Sequence, residues 1–161
     1  MRLLPYLIYL LLIAMHQVFL QDLTAIVGVR IDLAALIVMA VALYKSEVVT
    51  LWFGLAAGVV MAVSSPDTLG WHGLFMALLG VTAYHLREKL NLDFFYSKVL
   101  FMLGGLTVHT IGSVIIDGGG GLLMRLAVNA LPDALYTTVV ALLFLLVKDG
   151  VITFRKFKSI F

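Results

Sequence analysis

The sequence predicts an all-α membrane protein, a bundle of six transmembrane helices that forms one domain over residues 1–161. Three observations lead to this prediction. The chain is 63% hydrophobic and only 12% charged, whereas soluble domains carry about 25% charged residues. Its apolar runs repeatedly reach the roughly 18 residues expected of a membrane span. Its positive residues fall almost entirely on one side of the resulting topology, which is typical of membrane proteins.

The predicted helices follow from where the apolar runs begin and end. The first run follows Arg2 and lacks a small-x-small cleavage site, so we interpret it as a retained helix and not as a secretion signal. The last helix starts near Pro132, because proline is favoured in the first turn of a helix. In chain order the six helices cover approximately residues 3–20, 31–44, 47–64, 71–86, 95–116 and 132–147.

The second helix is the shortest, because Asp32 and Lys45 enclose only twelve uncharged residues. At about 1.5 Å per residue these cover about 18 Å, whereas the hydrocarbon core of a bilayer is about 30 Å thick. The helix can span if the Lys45 side chain reaches the interface and Asp32 turns into the bundle. The alternative is a half-inserted hairpin with the third helix; we favour the spanning helix.

Small residues recur every four positions in the third helix, at Thr50, Gly54, Gly58 and Ala62. In a bilayer this spacing forms one stripe along which another helix backbone can approach closely. A turn at residues 64–70 ends the helix, and Gly70 and Gly73 are further candidates for packing or partner contacts. The stripe either packs within its own bundle or receives a partner helix, and the sequence leaves both possibilities open.

The distribution of positive charge orients the bundle. Nine of the 11 lysines and arginines fall on one side of the six-span topology, which we assign to the cytoplasm. Both termini then lie in the cytoplasm, although the position of the N-terminus depends on whether the second helix spans. The tail, residues 148–161, alternates aromatic and basic residues, and we expect Arg155, Lys156 and Lys158 to lie on an anionic membrane surface.

Polar residues within the predicted spans are scarce, and Asp32 and His109 are the two candidates for a functional role. The short second helix brings Asp32 close to the hydrocarbon, where an ionisable residue is commonly functional. His109 lies deepest of the four histidines and either lines an internal cavity or hydrogen-bonds across helices. Five of the nine acidic residues fall at external helix ends, where they either cap helices or bind a cation or a basic partner.

The sequence does not indicate an enzyme. The absence of cysteine excludes disulfides and thiolate metal sites, and the histidines show no HExxH or comparable metal-ligand spacing. Gly118–Gly121 is not followed by the GK[ST] of a phosphate-binding loop, and no serine lies in a Gly-x-Ser-x-Gly context. We therefore predict a non-enzymatic interaction protein that holds no cofactor and no metal.

A series of segments follows a recognisable order along the chain: Ile31-Asp32-Leu33, Tyr44-Lys45-Ser46-Glu47, the helix with Gly54 and Gly58, Leu69-Gly70-Trp71-His72-Gly73, Tyr84-His85-Leu86-Arg87-Glu88-Lys89, and Leu131-Pro132-Asp133-Ala134-Leu135-Tyr136. This order resembles the MreD family, the rod shape-determining membrane proteins of bacterial cell-wall elongation. The resemblance covers most of residues 31–89 together with residues 131–148, and the length and six-span topology agree with it.

The resemblance implies a non-enzymatic scaffold in the bacterial inner membrane. Members of the family work with MreC, a protein with one span and a periplasmic domain. Together they are linked to the MreB filament and to the glycosyltransferase and transpeptidase that elongate the wall. The family is also similar in fold to the substrate-binding subunits of energy-coupling-factor transporters, so the alternative is a subunit that binds a vitamin-like small molecule. Leu7–Ala14 disfavours that alternative, because those subunits carry a small-residue patch in the first helix and this segment is mostly bulky.

Overall fold

The computed structural model describes residues 4–20, 23, 25, 29–64, 66–90, 92–116, 124, 128 and 130–148. Within these ranges the chain is helical apart from short connections, so the all-α prediction is confirmed. The described residues form six α-helices with defined bounds: α1 Leu4–Met15, α2 Leu33–Tyr44, α3 Glu47–Met61, α4 Leu69–Lys89, α5 Phe95–Ile116 and α6 Leu131–Lys148.

The helix bounds agree closely with the predicted ones except in α4. This helix begins two residues earlier than predicted, at Leu69, and continues to Lys89 rather than ending at residue 86. Arg87 explains the longer helix, because its guanidinium lies over the ring of Tyr84 on the same helix and also reaches the end of α2. Short elements extend two other helices: a π-helical turn, His16–Leu20, follows α1, and a 3₁₀ turn, Ala62–Ser64, follows α3.

Two of the six helices, α5 with 22 residues and α6 with 18, are long and apolar enough to cross a membrane by length and composition. Helices α2 and α3, and α1 together with its π-helical turn, are apolar but shorter than 18 residues. Helix α4 has 21 residues and a less apolar sequence. The expectation of six spans is therefore supported by length and composition in two helices.

The shortest helix, α2, lies at the centre of the fold. Nine of its 12 residues are buried, and it packs against α1, α3, α4, α5 and α6. A helix that is apolar on all sides is expected inside a bundle rather than at its surface. Because the other helices surround α2, its length of about 18 Å does not have to match the thickness of a bilayer.

Polar groups hold both ends of α2. At the N-terminus, Oδ1 of Asp32 accepts a hydrogen bond from the backbone N–H of Ala35 at 2.9 Å, which is the geometry of an N-cap. At the C-terminus, Nη1 of Arg87 donates to the carbonyl oxygens of Ala42 and Leu43, both at 2.9 Å. The last carbonyl groups of a helix have no partner within it, so Arg87 supplies the partner that α2 lacks.

Helices α3 and α4 form the most extensive helix pair, and the small-residue stripe lies within their interface. The buried members of the stripe are Thr50, Gly54, Gly58 and Ala62. A Cβ atom on Gly54 would lie 2.7 Å from the carbonyl oxygen of Met76, and one on Gly58 would collide with the carbonyl oxygen of His72. The two backbones are therefore in contact, and the stripe is covered by a helix of the same chain.

The two glycines at the start of α4 have different surroundings. Gly73 is buried, and a Cβ atom there would lie 3.3 Å from the Val59 side chain of α3. Gly70 is exposed, and a Cβ atom there would meet nothing within 4 Å. Gly73 thus belongs to the α3–α4 interface, whereas Gly70 makes no packing contact that requires a glycine.

Candidate functional site

Asp32 and His109, the two polar residues selected from the sequence, lie against each other in the structure. Oδ2 of Asp32 is 2.6 Å from Nδ1 of His109, and the two side chains are 18% and 1% exposed. Despite the short distance, Nδ1 makes no well-directed hydrogen bond to any residue that the structure describes, and the contact is an ion pair only when the His109 ring is protonated. The pair joins the start of α2 to the second half of α5.

Aromatic and hydroxyl groups fix the orientation of the His109 ring. Phe75 of α4 stacks on it, with ring centroids 5.6 Å apart and an interplanar angle of 25°. Gly112 leaves space for that stack, because a Cβ atom there would collide with the Phe75 ring. Nε2 of His109 lies 3.3 Å from Oγ of Ser113, a hydroxyl that can donate or accept according to the tautomer of the ring. These contacts direct Nδ1 towards Asp32.

Helix α6 completes the cluster through the hydroxyl of Thr137. This hydroxyl accepts a hydrogen bond from the backbone N–H of Asp32 at 3.0 Å and donates one to the backbone carbonyl of Asp133 at 2.7 Å. The Asp133 carboxylate in turn accepts from the backbone N–H of Arg30 at 2.8 Å. Two backbone groups of the segment that leads into α2 are therefore bonded to the first two turns of α6.

His16, in the π-helical turn after α1, is a further ionisable side chain buried at this end of the bundle. It is 6% exposed. His16 lies near the end of the first apolar run, and that run does not reveal which helices will cover it.

The cluster of Asp32, His109, Ser113, Thr137 and Asp133 connects the N-terminal end of α2 to α5 and α6. The hydrogen bonds of Thr137 and Asp133 with the backbone N–H groups of Asp32 and Arg30, together with the contact between Asp32 and His109, fix how these helices pack. Polar contacts of this kind are strong in a low-dielectric interior. Among the described residues, no three His, Asp or Glu side chains converge closely enough to hold a metal ion.

The sequence did not indicate two residues that make polar contacts at the ends of α2: Thr137 at its N-terminal end and Arg87 at its C-terminal end. Thr137 follows an ordinary helix start, and the sequence does not tell which of the adjacent Thr137 and Thr138 faces the bundle interior. The predicted helix ended at residue 86, before Arg87, because a run of charged residues begins there, whereas α4 continues to Lys89. The predicted membrane-surface residues Arg155, Lys156 and Lys158 lie outside the described part of the chain.

The fold and the cluster define an all-helical bundle with a buried acid–imidazole pair, in which two helices are long and apolar enough to cross a membrane. No protein-family model matches the chain, and no curated protein or solved structure is significantly similar to it. The resemblance to the MreD family therefore stays a prediction.

Replacing Thr137 with valine is expected to destabilise the protein by about 1–3 kcal/mol. The substitution preserves the shape of the side chain but leaves the part-buried N–H of Asp32 without its acceptor, and a donor left unsatisfied in the interior costs about this much. Thr138→Val is the matched control, because the Thr138 hydroxyl donates to the carbonyl of Ala134 on its own helix at 2.7 Å. Thermal unfolding of the purified protein in detergent measures both variants, and equal losses would contradict the special role of Thr137.

Proposed function

We propose that this chain is a six-span membrane scaffold of the bacterial cell-wall elongation machinery, related to the MreD family, and that it binds an MreC-like single-span protein. The observation that best supports a membrane role is the distribution of apolar side chains. Each helix around α2 carries a large apolar residue that is at least 58% exposed: Leu7, Trp52, Leu78, Leu100 and Val139. Soluble monomers rarely expose contiguous apolar patches of more than a few hundred Å², so an apolar solvent suits this surface.

The packing of the bundle makes six spans compatible with helices of unequal length. The buried α2 is enclosed by the other helices and meets little of the surrounding lipid. The α1 helix and its π-helical turn together run from Leu4 to Leu20, and 17 residues are at the lower limit of the roughly 17–25 that a spanning helix uses. Tilt and local thinning of the bilayer accommodate short spans at modest cost.

Charge is distributed unequally between the two ends of the bundle, which supports the proposed orientation. Arg87 contacts the end of α2, and Nζ of Lys148 lies 5.6 Å from the centre of the Tyr44 ring, so these cations share one end. Asp32 and Asp133 mark the opposite end. Because positive residues are in excess on the cytoplasmic side of membrane proteins, we propose that the first end faces the cytoplasm and the acidic cluster faces the periplasm.

The contacts of the buried polar residues support a scaffold more than a vitamin-binding subunit. Asp32 contacts His109, and the Thr137 hydroxyl is hydrogen-bonded to backbone groups of Asp32 and Asp133, so these polar groups are used to hold the helices together. The small-residue stripe is likewise used within the chain. A partner helix is therefore expected to dock on one of the exposed apolar faces, away from Gly54 and Gly58.

Copurification and site-specific crosslinking test this proposal. The tagged full-length chain, expressed in a rod-shaped bacterium, is expected to copurify with a single-span protein that has a periplasmic domain. A photo-crosslinking amino acid at Trp52, Leu78, Leu100 or Val139 is then expected to capture that protein from one helix face and not from all four.

Two controls separate the proposal from its alternative. His109 is fully buried, so the same crosslinker placed there should capture no partner. Purified protein is also assayed for tight binding of a panel of vitamins and for association with ATPase subunits. Nanomolar vitamin binding without capture of a single-span protein would replace the scaffold by a transporter subunit.

A further inference from the structure

An apolar groove runs between α4 and α5 on the outside of the bundle. Its volume is about 430 Å³, within the range of roughly 300–1,000 Å³ typical of small-molecule sites. Leu79 and Leu86 line it from α4, Leu100 and Gly104 line it from α5, and the buried Met39 of α2 closes its floor. Because its lining is almost entirely apolar, the groove is suited to a hydrocarbon chain.

A polar pocket of about 340 Å³ lies beside the groove at the end of the bundle where the cations lie. Leu90 and Leu92 line both spaces, so the groove and the pocket are adjacent. Arg87, Lys98 and Asp93 also line the pocket, and these two cations and one carboxylate leave one net positive charge. The composite site therefore joins an apolar part to a cationic part.

Neutral groups hold the Arg87 guanidinium in place without cancelling its charge. Nη1 donates to the carbonyl oxygens of Ala42 and Leu43, and Cζ lies 4.5 Å from the centre of the Tyr84 ring. A guanidinium ordered in this way presents its remaining donors in a fixed geometry, and planar guanidinium groups match the oxygens of a phosphate. The pocket thus contains a preorganised cation.

We propose that the groove and the pocket together bind an anionic phospholipid, with an acyl chain between α4 and α5 and the phosphate beside Arg87 and Lys98. The inference rests on the membrane insertion and orientation given in the proposed function, which place the pocket at the headgroup level of the cytoplasmic leaflet. That leaflet carries the anionic lipids. A free phosphate ion would occupy the pocket alone, whereas the shared walls at Leu90 and Leu92 favour a molecule with both a chain and a charge.

Native mass spectrometry of the full-length chain in detergent tests the headgroup part of the site. The probes are dioleoyl phosphatidylglycerol, dioleoyl phosphatidylcholine and inorganic phosphate. We expect retention of the phosphatidylglycerol in preference to the phosphatidylcholine, and a roughly five-fold loss of this preference in Lys98→Gln, since one lysine near a membrane surface contributes about that factor. Lys89→Gln is the matched control, because Lys89 is exposed and lies outside the pocket.

A second pair of variants tests the groove. A Cβ atom on Gly104 would meet nothing within 4 Å, so Gly104→Leu fills the groove without striking the backbone. This variant is expected to fold and to lose retention of both lipids. Gly70→Leu, at an equally open position at the other end of α4, should retain both lipids as the unmodified chain does.

Three results would overturn the inference: equal retention of the two lipids, an unchanged preference in Lys98→Gln, or displacement of the phosphatidylglycerol by inorganic phosphate at equal concentration. Failure of the proposed function would look different. A chain that resides in the membrane and captures no partner, but prefers phosphatidylglycerol, would retain the lipid site and lose the scaffold role. A chain that extracts from membranes as a peripheral protein would contradict both.

Discussion

Gly58→Leu is expected to prevent the chain from folding, or to destabilise it by at least about 3 kcal/mol. A Cβ atom at this position would collide with the carbonyl oxygen of His72 and lie 2.7 Å from Cα of Gly73. Both obstacles are backbone, so no rotamer change can relieve the clash, and α3 and α4 would have to separate. The yield of folded protein and its unfolding temperature in detergent measure the effect.

Gly70→Leu provides the control for Gly58→Leu. Both replace a helical glycine by leucine, but the Cβ atom at Gly70 would meet nothing within 4 Å. Gly70→Leu is therefore expected to leave the unfolding temperature unchanged or to raise it, since leucine favours helix more than glycine does. If Gly58→Leu folded as well as Gly70→Leu, the stripe would not be a site of backbone contact, and a partner helix would become its natural occupant.

Asp32→Ala is expected to destabilise the protein by about 2–4 kcal/mol, because it removes an N-cap and the buried polar partner of His109. The substitution leaves the buried imidazole of His109 without its carboxylate and removes the N-cap of α2. Asp32→Asn separates these two effects, because asparagine is as good an N-cap as aspartate but carries no charge. The free energy of unfolding of the two variants, measured in detergent with a chemical denaturant, gives the contribution of each.

A double-mutant cycle with His109→Leu tests whether Asp32 and His109 are energetically coupled. If they are, the loss in the Asp32→Asn, His109→Leu double variant will be smaller than the sum of the two single losses, by roughly 0.5–3 kcal/mol. Replacing both partners of a buried polar contact by less polar groups of similar shape can be nearly neutral. Strictly additive losses would mean that the 2.6 Å contact contributes no coupling energy.

The amino-acid pattern carries enough information to predict the six helices and the close approach of α3. Each apolar run is bounded by charges, prolines or glycines, and the four-residue spacing of Thr50, Gly54 and Gly58 can form a stripe only on one face of a helix. Asp32 was selected because a twelve-residue run is too short to keep its flanking acid in water. The choice of His109 followed from its depth within a long apolar helix.

The pattern could not predict which residues meet across the bundle. The pairing of Asp32 with His109 and the contact of Arg87 with α2 each join residues more than 40 positions apart in the sequence. Local periodicity predicts helices and their faces, but it does not predict which distant residues will meet. The length of α4 was underestimated for the same reason. Its last turn is charged, and a charged segment after an apolar run predicts a loop. The carbonyl groups at the end of α2, which bind Arg87 and favour the longer helix, could not be foreseen from the sequence.

The central position of α2 has a consequence for how the protein is made. Ribosomes deliver the chain from its N-terminus, so α2 is synthesised before every helix that binds its ends. Until α4 supplies Arg87, and α5 and α6 supply His109 and Thr137, the polar ends of this twelve-residue helix lack the partners that the finished bundle gives them. The environment of α2 is therefore completed only after α4, α5 and α6 have been synthesised and packed around it.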